Sequence, residues 1–174
     1  MSIGAAAYLV ARFLIGAVFT VSALSKVRGP GAYARYGDAT RALVPFGRPG
    51  MVAAVALIGE AAVPVLLAVA PAAGFVLAAA LLTGFTVAIA GAVRNRRAVR
   101  CACFGPSVTP VGGAHLARNV FLLAAAACGL ALGPAPAPEP ALLAVLVAVS
   151  LFLTLLVLLT DLLAYLFAAP TEES

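Results

Sequence analysis

Five stretches of about twenty mostly apolar residues, set apart by short polar or proline-rich connectors, set the main limit on what this chain can become. They cover residues 5–27, 48–70, 72–93, 114–132 and 141–167. Crossing a hydrocarbon core takes about 20 apolar residues in a helix. A soluble domain has no interior large enough for such a chain: 64% of its 174 residues are hydrophobic and 10% are charged, against about 45–50% and about 25% in soluble proteins. The expectation is an all-α integral membrane protein, residues 1–174 forming a single membrane domain. The first four spans make a four-helix transmembrane bundle, and a fifth, C-terminal transmembrane helix is added to it. Pro71 suits a turn between two helices, where a backbone donor is dispensable. "GPAPAPEP" (residues 133–140) reads as a stiff, extended connector. The first basic residue, Arg12, falls inside the first apolar run. That stretch therefore lacks the basic start of a secretory leader and is expected to be a helix of the mature protein.

The net charge of +5 does not point to nucleic acid, because the basic residues form no stripe or patch. Lys26, Arg28, Arg35, Arg41 and Arg48 surround the first connector, and Arg94, Arg96, Arg97, Arg100 and Arg118 the third. The second and fourth hold none. Cytoplasmic loops carry the Lys/Arg excess. In a cell (plasma or inner) membrane this places connectors one and three in the cytoplasm, the N-terminus outside and the "TEES" tail inside.

Polar groups within apolar spans need a reason to be there. Arg12 lies about two turns into the first helix and Glu60 near the middle of the second, at depths that differ by only about 5 Å, within reach of an arginine side chain. A buried Arg12–Glu60 pair would neutralise both, as an interhelical staple or as a functional polar site. Pro64, one turn later, would free a backbone carbonyl.

"RRAVRCACFGPSVTP" (residues 96–110) sets Cys101 and Cys103 one residue apart among arginines. A thiol reacts as its thiolate, which neighbouring cations favour; Arg97, Arg100, Arg118 and Lys26 are the cations at this membrane level. A Cys-x-Cys ring is small, so its disulfide is strained and readily reduced. Such a pair suits thiol–disulfide exchange better than stapling. Two unreactive loop cysteines are the plain alternative, as a snorkelling anchor is for Lys26. Cys101 and Cys103 with His115 would also suit a soft metal, but a fourth ligand is missing, and no metal or other cofactor is expected. His115 reads as a surface or capping residue, and Cys128 as a small core residue.

"ARFLIGAVFTVSALSK" (residues 11–26), the intramembrane Glu60, "CACFG" (101–105) and "ARNVFLL" (117–123) together resemble the methylamine-utilisation protein MauE family, within the wider DoxX-like membrane proteins. The resemblance covers roughly residues 8–132. It implies a membrane partner of a thioredoxin-like protein, needed by the family's namesakes for maturation of the disulfide-rich β-subunit of methylamine dehydrogenase. It further implies that Cys101 and Cys103 carry the exchange, supported by Arg12, Lys26, Glu60, Arg118 and Asn119. A non-catalytic assembly subunit and a soft-metal or small-molecule carrier are the competing readings.

The charge asymmetry yields a direct test. A reporter fused within residues 133–140 should be active outside the cytoplasm, and one fused after Arg97 inside. The opposite labelling would invert the topology and turn the cysteine segment toward an exported target.

Overall fold

In a computed structural model, residues 2–43, 48–95, 113–136 and 138–168 are described, with side chains through Thr160. Their elements are α1 (Ile3–Val27), α2 (Ala32–Leu43), α3 (Pro49–Val69), α4 (Pro71–Arg94), α5 (Gly113–Leu132) and α6 (Pro140–Ala168), with no strand among the described residues. Five of them, all but α2, are long and apolar enough to cross a membrane. The chain is an all-helical, multi-pass membrane protein. The expected span limits fall within two residues of the observed ones.

Local sequence explains where the helices begin. Ser2 caps α1, its hydroxyl accepting from the Ala5 amide at 3.2 Å. Proline opens α3, α4 and α6, a position where its missing N–H costs nothing and its fixed φ suits the helix. One residue, Ala70, separates α3 from α4 and serves as the cap of both. A turn that short makes the two helices antiparallel neighbours.

The spans α1, α3, α4 and α5 form a ring in that order, with α1 and α4 on the diagonal. Each contributes a narrow inward seam. On α3 it is Ala53, Glu60, Val63 and Leu67; on α5 it is His115, Arg118, Asn119, Leu122, Ala126 and Gly129. These repeat at intervals of three, four and seven, the spacing of one helix face. Between the seams lies an apolar core that includes Leu14, Ile15, Phe19, Phe75, Ala78, Leu82 and Leu122, with Tyr8 edge-on to Phe75 at 5.9 Å. Outward faces are also apolar, for example Ile58 at 69% exposure and Val87 at 67%, as a lipid-facing surface requires. α6 lies outside the ring, mainly against α1 and less against α5.

The connector between the first two spans holds an element that hydropathy does not reveal. It is α2, a twelve-residue amphipathic helix that buries Ala32, Tyr36 and Thr40 and exposes Arg35, Asp38 and Arg41. It follows a turn in which Gly29 and Gly31 have φ of 88° and 72°, values that suit glycine. α2 packs on the start of α3, the end of α1 and α4.

Gly74 marks a close backbone-to-backbone approach of α3 and α4. A Cβ there would lie 2.6 Å from the Leu67 backbone nitrogen, so α3 and α4 would have to separate. At Gly91 the same atom meets nothing within 4 Å. Gly74→Ala should therefore lower the thermal midpoint of the purified protein, at a cost of about 1–3 kcal/mol. Gly91→Ala should leave it unchanged or raise it, because alanine is the better helix former.

Candidate functional site

The chain's polar investment within its spans is concentrated at one end of the ring. Lys26 stands in the last turn of α1, and its side chain runs back over the preceding turn, as helical side chains do. Its ammonium donates to the Ser22 hydroxyl at 2.8 Å and forms an ion pair with Glu60 Oε2. Ser22 Oγ donates to the same oxygen at 3.2 Å. The Tyr36 ring, brought in by α2, lies with its centroid 4.8 Å from the ammonium, within cation–π range. Lys26 and Glu60 are 2% and 1% exposed. Two ammonium protons are thus held by oxygen and the aromatic face receives the cation, so neither charge is left uncompensated.

Across the bundle, the first turns of α5 bring in Arg118 and Asn119, both buried. With Ser22, Phe19 and Phe85 they line a cavity of about 20 Å³, room for one water molecule. Asn119 Nδ2 has no hydrogen-bond partner among the described residues, and a water there would supply one. Four of the residues singled out by sequence, Lys26, Glu60, Arg118 and Asn119, therefore meet around Ser22.

Arg12 does not join them, and the expected Arg12–Glu60 pair is absent. The guanidinium instead donates to the Ala68 carbonyl at 3.2 Å. That carbonyl belongs to the last turn of α3, where intrahelical donors have run out and the helix dipole is negative. The physical reason for the difference is axial offset. The first turns of α3 pack beside α2, so Glu60 comes level with Ser22 and Lys26, while the end of α3 comes level with Arg12.

Two further expectations are corrected. His115 is not a surface residue but is 2% exposed in the α5 seam. Cys128 is not a core residue; it is exposed on the outer face of α5. Beyond Asn119, α5 is apolar on both faces, so composition does not tell the lipid side from the core side at Cys128. Cys101 and Cys103 lie outside the described residues. The residues that bracket their segment, Asn95 after α4 and Gly113 at the start of α5, belong to the same end of the ring as Lys26. Tyr36 and Thr40 are the site residues that the sequence left unmarked. Their signal was the four-residue spacing Ala32–Tyr36–Thr40 within a basic connector.

A family model, methylamine utilisation protein MauE, matches residues 4–133. The chain belongs to the MauE family. No curated protein and no solved structure matches it. The MauE match runs from α1 to the end of α5 and so contains the whole polar cluster, while α6 lies beyond it.

A thermodynamic cycle tests the geometry. Lys26→Met and Glu60→Leu should each destabilise the purified protein by about 3–5 kcal/mol, because each strands a buried charge. The double variant should recover much of that loss. Arg12→Met combined with Glu60→Leu should instead give additive losses, since the two side chains bind different partners.

Proposed function

We propose that this MauE-family membrane protein exchanges disulfides with a thioredoxin-like partner through Cys101 and Cys103, supporting maturation of a disulfide-containing protein. The observation that carries the reading is the combination of a reactive sequence and its anchoring points. A Cys-x-Cys pair lies on a segment tethered at both ends to the part of the bundle where Lys26, Glu60 and Arg118 are buried. Between Glu60 and Glu139 the chain has no acidic residue, whereas Arg94, Arg96, Arg97, Arg100 and Arg118 all fall in that interval. Cations close to a thiol favour its thiolate.

The chemistry balances without a resident cofactor. A partner thiolate attacks one sulfur of the Cys101–Cys103 disulfide, a mixed disulfide forms and the other cysteine leaves as its thiolate. A second partner thiolate then resolves the mixed bond. The partner departs oxidised and both cysteines of this chain are reduced; the reverse sequence passes electrons the other way. The buried polar cluster supports this work by holding the last turn of α1 against the middle of α3, beside the first turns of α5. The membrane is the cell (plasma or inner) membrane, with the N-terminus outside and the C-terminus cytoplasmic, following the basic connectors.

Changing one cysteine to serine should trap the partner. With Cys101→Ser or Cys103→Ser, a mixed disulfide to a thioredoxin-like protein should be recovered from cells after acid quenching and alkylation. Each variant should lose function while still inserting and folding, and Cys128→Ser, on the outer face of α5, should be silent. If Cys101 and Cys103 stay reduced under mild oxidant and the double serine variant keeps full activity, the protein is an assembly subunit without thiol chemistry.

A further inference from the structure

A cavity of about 450 Å³ lies between α2, α3 and α4, but its polar groups are spent. Lys26 and Glu60 pair with each other, and Thr40 Oγ1 donates to the Tyr36 carbonyl. A second cavity, about 390 Å³ between α1, α3 and α6, holds a cation with donors to spare. Arg12 is on its wall, with Ala17 of the same helix, Pro64 and Ala68 of α3, and Ser150 and Leu151 of α6. A guanidinium carries five N–H donors. Among the described residues Arg12 uses it for one hydrogen bond, to the Ala68 carbonyl at 3.2 Å. No carboxylate balances the charge among those residues. Asp38 pairs with Arg41 and Glu60 with Lys26. Glu139 and Asp161 stand eleven residues to either side of Ser150, about 16 Å along α6 at 1.5 Å per residue.

Depth decides which anion is at hand. The Arg12 side chain meets α3 in its last turn, next to the one-residue break at Ala70. α3 has 21 residues, about 31 Å at 1.5 Å per residue, just enough for a hydrocarbon core of about 30 Å. Its last turn therefore lies at the boundary of that core, where the lipid headgroups begin. Leu151, on the cavity wall, is 57% exposed, so the cavity opens sideways onto lipid. We propose that it binds the phosphate of an anionic phospholipid from the leaflet farther from Lys26, held by the remaining N–H groups of Arg12. Guanidinium and phosphate match in shape as well as charge, through two parallel hydrogen bonds. A zwitterionic headgroup would bring its own cation to a site already positive. A bare acyl chain would leave the guanidinium without a counterion at the edge of hydrocarbon, where a cation is costly. α6 supplies the third wall, so the added helix turns a lipid-facing arginine into a cleft.

The test uses the whole protein in neutral detergent micelles, titrated with phosphatidylglycerol or phosphatidylcholine and read by native mass spectrometry. Phosphatidylglycerol should bind about tenfold or more tighter than phosphatidylcholine, a difference of about 1.4 kcal/mol or more. Arg12→Gln keeps a donor for the Ala68 carbonyl and removes the charge, so it should abolish that preference at wild-type helicity. Ala17→Leu keeps the cation and fills the cavity from α1; it should weaken phosphatidylglycerol binding by about tenfold, and it serves as the test if the glutamine variant does not fold. Arg41→Gln, which removes an exposed cation from α2, should bind as wild type does. Glycerol 1-phosphate, the water-soluble part of the headgroup, should not compete. A preference that survives in a folded Arg12→Gln chain or in Ala17→Leu, or that disappears in Arg41→Gln, overturns the proposal. Equal binding of the two lipids overturns it as well. Competition by glycerol 1-phosphate would assign the cavity to a free phosphate and overturn the lipid as its occupant.

Discussion

Taking an ammonium and a carboxylate out of water costs several kcal/mol for each ion, and only close pairing with further hydrogen bonds offsets it. Within a bundle of apolar helices, that condition ties the last turn of α1 to the middle of α3 through Lys26, Ser22 and Glu60. The axial register of the two helices follows. With Glu60 held at the level of Ser22, the first turns of α3 are left without α1 as a neighbour, and α2 packs there instead. Because α2 is short and meets α4 only briefly, the small residues Ala80, Gly84 and Ala88 are left unfilled, and the 450 Å³ cavity results. At the far end the same offset brings the last carbonyls of α3 to Arg12. Register, amphipathic helix, cavity and the placement of Arg12 thus descend from one buried pair.

The two ends of the ring differ in chemistry accordingly. At one end the interior of the ring is apolar, with Tyr8 edge-on against Phe75 and Gly129 so close to that ring that a side chain there would collide with it. The other combines two buried cations, one buried carboxylate, an amide and a histidine within a few turns. Polar groups in a membrane protein are retained where they do something. Their gathering at the end from which the cysteine segment departs ties the MauE-family match to a physical feature of this chain.

Hydropathy was sufficient to read the five spans, because lipid imposes a length and composition that few other environments require. The membership of the polar cluster was also legible: Lys26, Glu60, Arg118 and Asn119 stand out against alanine and leucine. Their pairing was not. Whether Glu60 meets Arg12 or Lys26 depends on the axial offset of two helices, which neither helix's own sequence states, and α2, which fills the space that the offset leaves, carries too little apolar character to register as a span. Burial on α5 was legible only in part. His115 shares the face of Arg118 and Asn119 by its spacing, but with alanine and leucine on every side farther along, the sequence does not say that Cys128 turns outward. Such assignments come from packing against α1 and α4, a tertiary effect that no single-helix pattern contains.

α6 lies beyond the family match, and its contacts indicate what it adds. Its hydroxyls are mostly spent on its own backbone: Ser150 donates to Leu146 at 2.7 Å and Thr154 to Ser150 at 2.8 Å. One longer contact, 3.4 Å from Ser150 Oγ to the Val10 carbonyl, reaches α1. The helix therefore holds to the ring largely by van der Waals packing, the main cohesive term between helices in lipid. It covers a particular place. Arg12, Pro64, Ala68, Ser150 and Leu151 line one cavity between α1, α3 and α6. Without α6 the guanidinium that caps α3 would face lipid over that whole side. A cation is costly in hydrocarbon, and α6 replaces part of that hydrocarbon with a hydroxyl-bearing helix face. The arginine on α1 and the added span are in this sense one device: the cation closes the end of α3, and the extra helix makes its position in the membrane tolerable.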